Sequence, residues 1–259
     1  MPTSLAPRQA GQLLNKVPAV TLAFWVIKIL ATTVGETGAD FLSVTLGFGL
    51  NGTSVVMTVL LVAILWVQMR ADRYVPVVYW TTTVMVSVVG TLVTDNMVDN
   101  LGVPLPAAAA GFAVALAACF IVWYGLEQTL SIHTIVTHRR EAFYWAAILL
   151  TFALGTAAGD LVAERMGLGY AAAALMFGAL IAAVTLAHYG FGAGAITCFW
   201  IAYVLTRPFG ASLGDLLAQA PADGGLGLGT VGTSALFLAV IAALVSRMVE
   251  AARPARPRT

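Results

Sequence analysis

Four aspartates stand at one fixed distance from four tryptophans. Asp40, Asp95, Asp160 and Asp215 each follow a Trp by fifteen residues, after Trp25, Trp80, Trp145 and Trp200. Three of them have a second acid one helical turn away: Glu36 before Asp40, Asp99 after Asp95 and Glu164 after Asp160. Residues four apart lie on one face of a helix, so each pair presents two carboxylates in one direction. Asp215 lacks such a partner. Carboxylates are hard oxygen ligands, suited to Mg²⁺, Mn²⁺, Ca²⁺ or Na⁺ rather than Cu(I). Thr32 stands one turn before Glu36, and Thr91 and Thr156 occupy the register of Glu36 in their own segments, so hydroxyls join the candidate ion-binding set. Two cations are candidate charge partners. Lys28, three residues after Trp25, is placed to snorkel to the interface. Arg207, followed by Pro208, is placed to neutralise a carboxylate such as Glu36. A proton and a cation competing for the same oxygens is the logic of an exchanger.

The elements that must position these groups are membrane helices. The 259 residues are 60% hydrophobic and 10% charged, with a mean hydropathy of +0.91. A soluble chain carries about 25% charged residues. Apolar stretches run near 18–45, 53–69, 75–99, 106–126, 142–165, 170–189, 194–217 and 229–249. Each is long enough to cross a bilayer as a helix at ~1.5 Å per residue. In hydrocarbon the backbone must satisfy its own hydrogen bonds, which helices do. An acid inside such a span costs ~2.5–3.5 kcal/mol on insertion scales, so it faces protein or a water-filled cavity. The alternative for the aspartates is to cap helix ends, with Asp99 and Glu164 solvated at the outer surface.

Positive charge alternates along the connections. Arg8 and Lys16, Arg70 and Arg73, Arg139 and Arg140, and Arg247, Arg253, Arg256 and Arg258 fall on one side of an eight-span topology. The positive-inside rule then makes both termini cytoplasmic. The expected organisation is a cytoplasmic segment 1–17, one transmembrane domain 18–250 and a basic tail 251–259. No cleavable signal peptide is expected.

The spans repeat. An aromatic–Trp pair recurs as Phe24-Trp25, Tyr79-Trp80, Tyr144-Trp145 and Phe199-Trp200, and Gly35, Gly90, Gly155 and Gly210 follow each Trp by ten residues. The repeats fall near 18–72, 73–126, 142–190 and 193–249. Each holds two helices, so successive copies run parallel, and the chain also divides into two pseudo-equivalent halves. Each Trp is expected at the cytoplasmic interface, each Gly about 15 Å deeper as a close-packing point, and each Asp about 22 Å from its Trp. The stretches KVPAVTLAFWVIKILATTVGETGADFLSVTL (16–46) and SIHTIVTHRREAFYWAAILLTFALGTAAGDL (131–161) resemble a bacterial family of uncharacterised membrane-anchored proteins built from tandem units described as a repeat of unknown function. The resemblance covers roughly 16–250. It implies an all-α membrane protein and no activity.

Several function classes drop out. Net charge is +1, which excludes a nucleic-acid or acidic partner on bulk charge. HExxH, GxSxG and phosphate-loop motifs are absent, so neither an enzyme nor a cofactor is expected. Cys119 and Cys198 read as small apolar packing residues. His133, His138 and His188 do not form a metal cluster, and which metal the carboxylates would take is open. The leading expectation is a secondary transporter in the bacterial inner membrane, moving a metal ion or small cationic solute in exchange for protons. An ion channel with an acidic ring is the first alternative, and a non-transport sensor or assembly protein using 131–141 the second. The divergence of the copies points to a single off-axis site in which the first and fourth repeats differ in role. The expected partners are the bilayer and a small cation or proton, with homo-oligomers left open.

Overall fold

The computed structural model describes residues 15–251. The expected segments at Arg8 and at Arg253, Arg256 and Arg258 lie outside them. Eight helices are long and apolar enough to cross a membrane, and no strand occurs among the described residues. They are α1 (Leu22–Asp40), α2 (Gly49–Arg70), α3 (Pro76–Asp95), α4 (Leu105–Glu127), α5 (His138–Asp160), α6 (Tyr170–Phe191), α7 (Ala195–Ala218) and α8 (Gly229–Ala251).

Local sequence explains several ends. Thr21 caps α1 by accepting from Phe24 N at 3.2 Å, and Thr137 caps α5 by accepting from Arg140 N at 3.3 Å. Pro76 opens α3, where its missing N–H costs nothing. Gly192 ends α6 in the left-handed region, at φ 71°, where glycine has no Cβ to clash.

The helices form two layers. The first helices of the repeats, α1, α3, α5 and α7, pack in that order around a ring that closes from α7 back to α1. The second helices lie outside it, and each packs on the first helix of the following repeat: α2 on α3, α4 on α5, α6 on α7, and α8 on α1. Burial separates the layers. The inner spans are 56–72% buried, whereas α2, α4, α6 and α8 are only 17–22% buried, leaving apolar side chains on their outer faces. An all-apolar helix with an uncovered face suits lipid as solvent.

The repeated register of Gly explains how the inner helices approach. A methyl group placed on Gly35 would lie 1.9 Å from Ser87 Oγ, on Gly90 2.6 Å from Phe152 Cβ, on Gly155 2.2 Å from Arg207 Cγ, and on Gly210 1.9 Å from Thr32 Oγ1. Ser87, Phe152, Arg207 and Thr32 each stand seven positions after their own Trp. Each repeat's glycine therefore receives the same-register side chain of the next repeat, and the fourth receives the first. Small residues at such points let backbones approach by van der Waals packing, the main force between helices in lipid.

Candidate functional site

Residues at −1, +3, +7, +11 and +15 from each Trp follow a single ridge of each inner helix, since positions four apart align along it. The ring thus stacks five interior layers. The first is Phe24, Tyr79, Tyr144 and Phe199, and it joins the tryptophans in a closed aromatic cluster. The Tyr79 and Tyr144 hydroxyls bond to each other. Trp80, Trp145 and Trp200 are buried in this cluster, with only Trp25 part-exposed. Trp80 Nε1 donates to Tyr74 Oη and Trp200 Nε1 to the Leu130 carbonyl, both at 3.0 Å. The expectation of interfacial rings is corrected to that extent: three of the four close the end of the bundle.

The second layer holds Lys28, Thr83, Ile148 and Tyr203, all fully buried. Lys28 does not snorkel. Its ammonium points inward, donating to the Tyr203 carbonyl at 2.9 Å and Thr206 Oγ1 at 2.5 Å, and it lies 4.2 Å from the Tyr203 ring centroid. Among the described residues no carboxylate is within ion-pair distance of it, so it is no charge partner of the acids. Carbonyls and ring faces stand in for the missing anion.

The third and fourth layers are joined by Arg207. Its Nη2 donates to Glu36 Oε2 at 2.8 Å, to Thr156 Oγ1 at 2.7 Å and to Thr91 Oγ1. Its Nη1 donates to the Thr32 carbonyl at 2.8 Å and its Nε to the Phe152 carbonyl at 3.4 Å. Thr91 Oγ1 in turn donates to Glu36 Oε2 at 3.3 Å. The +11 residues of the first three repeats are therefore gathered on one guanidinium from the fourth. Arg207 is 0% and Glu36 7% exposed. A buried ion pair is weak evidence for stability, but breaking it strands a charge at a cost of about 3–5 kcal/mol.

Beyond Glu36 the interior opens. A cavity of ≈ 480 Å³ is lined by Glu36, Asp40, Asp95, Asp99, Asp160, Glu164 and Asp215, with Ser43, Thr94 and Gln219. The acids of all four repeats converge on it, so the site is shared around the ring and the expected off-axis position is corrected. Asp40, Asp95 and Asp160 do not cap their helices: no side-chain cap bond forms, and the chain runs on through one π-helical turn each, over Phe41–Thr45, Asn96–Asn100 and Leu161–Arg165. These wider turns, frequent at functional positions, carry Val44, Asp99 and Glu164 onto the cavity wall. In the fourth repeat α7 simply continues to Ala218, and Gln219 takes that position. Asp215 is 9% exposed and faces the same space. Of the seven acids only Glu36 has a cation within ion-pair distance among the described residues. No set of three His, Cys, Asp or Glu among them is arranged to hold a metal ion directly.

Glu164 lines the cavity, as its place four residues after Asp160 suggests, rather than standing only at the surface. A polar clamp also ties the Trp end: Lys16 Nζ meets Glu141 Oε2 at 2.8 Å and the Met69 carbonyl at 3.0 Å, and Gln68 Nε2 donates to Glu141 Oε1 at 2.9 Å. Nothing local in the sequence signals that Glu141 is fully buried. A second cavity of ≈ 560 Å³ lies beside α1, α6 and α7 at the Trp end. It is lined mainly by apolar side chains and brings His133 and His188 to one place, without any acid.

The fold and site define a class: a membrane-spanning helical protein of four tandem two-helix repeats, closed into a ring around an acidic cavity. More particularly, the chain belongs to the family described as "Repeat of Unknown Function (DUF347)", whose profile matches residues 23–74, 78–129, 143–193 and 198–253. No curated protein and no solved structure matches the chain.

Proposed function

We propose that the protein is a secondary transporter that takes a cation into the acidic cavity and exchanges it for protons. One observation carries this reading: acids from all four repeats line one cavity, and among the described residues only Glu36 has a neighbouring cation to neutralise it. Carboxylates in a membrane domain are costly unless they serve a cavity or a partner. A cation entering from the Asp end would meet six carboxylates that no described cation pairs before reaching Glu36. There it would compete with Arg207 for one carboxylate, and release of Arg207 would loosen its bonds to Thr91, Thr156 and the Thr32 carbonyl. That links cation arrival to the contact between the first and fourth repeats.

A carrier is favoured over an open channel because the axis beyond Glu36 is filled. Arg207, Phe152, Lys28 and Tyr203 are all 0% exposed, and the aromatic layer follows. Passage therefore requires the Trp end to rearrange. We place that end in the cytoplasm of a bacterial inner membrane, because Lys16, Arg70, Arg73, Arg139, Arg140 and Arg247 flank it. Both described chain ends are there too, with Asn15 bonded through its carbonyl to Tyr74 N, and Met248 against Tyr74 Oη.

Reconstitution into liposomes tests the reading. Cation uptake should saturate, respond to an imposed pH gradient and vanish in the Asp95→Asn and Asp160→Asn variants. Ohmic, non-saturating current would favour the channel, and normal uptake by both variants would remove the acids from the mechanism.

A further inference from the structure

The carboxylates do not lie at one depth. Glu36 is innermost, Asp40, Asp95, Asp160 and Asp215 form the next level, and Asp99 and Glu164 stand one turn further out. Four residues of α-helix rise ~6 Å, which separates the first two of the three levels, and one π-helical turn separates the second from the third. A single bare ion would use one level, and no three ligands are arranged around such an ion among the described residues. Two of the groups are poised for a ligand. Asp215 is 9% and Glu36 7% exposed, both line the cavity, and neither Asp215 nor Glu36 Oε1 accepts a hydrogen bond from a described residue.

Resting on the cation reading above, we propose that the ligand is a linear alkyl polyamine seated lengthwise in the cavity. With C–C bonds of ~1.52 Å and angles near ~111°, an extended chain advances about 1.25 Å per bond. Ammonium groups separated by three or four methylenes are then about 5–6 Å apart, close to the ~6 Å step between Glu36 and the aspartate level. Val44, Val98 and Leu105 lie on the same wall and meet the methylenes between charges. The volume of ≈ 480 Å³ leaves room for such a chain and part of its water shell, at about 30 Å³ per water.

Isothermal titration of the purified full-length chain in a neutral detergent, at constant ionic strength, tests this with propylamine, 1,3-diaminopropane, spermidine and MgCl₂. Affinity should rise about tenfold with each added ammonium, with the diamine well ahead of Mg²⁺ at equal charge. The double variant Asp99→Asn/Glu164→Gln, altering two exposed side chains, should erase the gain from diamine to triamine, and a triamine gain that survives it overturns the lengthwise seating. Equal affinity along the amine series, or Mg²⁺ binding as tightly as the diamine, overturns the polyamine assignment while leaving a cation site. No heat with any of the four overturns both readings.

Discussion

The two ends of the inner ring use the same register of residues for opposite purposes. At the Trp end the −1 layer is aromatic and the +3 layer fully buried, and even a lysine is enclosed by carbonyls and rings. At the Asp end the +15 layer faces a cavity and holds four like-charged groups from four helices. Arg207 and Glu36 mark the boundary. The difference teaches that the repeat supplies a scaffold of positions, and that the chemistry comes from which residue each copy places there. At +11 the copies offer Glu36, Thr91, Thr156 and Ala211, and this mixture lets one arginine of the fourth repeat bond to the other three.

The sharpest way to break the comparison is at its boundary. Replacing Arg207 by Met should destabilise the protein by about 3–5 kcal/mol, because Glu36 is left buried without its cation. Thermal unfolding in detergent reads this, and adding Glu36→Gln should recover part of the loss. A single Arg207→Met variant as stable as the parent would mean that the boundary is not set by this pair.

Packing at the Gly contacts comes next. Gly155→Ala forces a methyl into the Arg207 side chain and should cost about 1–3 kcal/mol. Gly111→Ala on α4, with open space around it, should cost nothing. Equal effects would remove the ring closure from the account.

Changes in the acidic end should leave the fold alone. Asp160→Asn breaks no hydrogen bond to a described residue, so its melting temperature should hold or rise as like-charge repulsion falls, while cation uptake is lost. A fall of the size expected for Arg207→Met would recast the acids as structural. Least of all, Arg139→Gln should shift stability by about 0.2–1 kcal/mol, since Arg139 pairs with Glu127 from a side chain 62% exposed.

Much of this architecture was legible in the sequence because lipid imposes simple rules. Span length fixed the helix count, with observed bounds within a few residues of the apolar runs, and the Trp–Gly–Asp register gave the repeat. The partners were not legible. Gly155 announces a close approach but not that Arg207 fills it, because the contact joins repeats whose relative rotation no spacing encodes. Nearness to Trp25 suggests an interfacial place for Lys28. Its place on the same four-residue ridge as Glu36 and Asp40 was the better guide, since that ridge faces the ring interior. Glu141 and Lys16 meet across 125 positions, which local pattern cannot show.

The central claim is that the converging acids form a cation site. The direct measurement is the cation-induced rise in unfolding free energy of the parent chain and of a variant with Asp40, Asp95, Asp160 and Asp215 all changed to Asn. A bound cation at a hundredfold its dissociation constant should stabilise the parent by about 2.7 kcal/mol and leave the variant unmoved. The same rise in both, or none in the parent with mono-, di- and polyvalent cations alike, would contradict it.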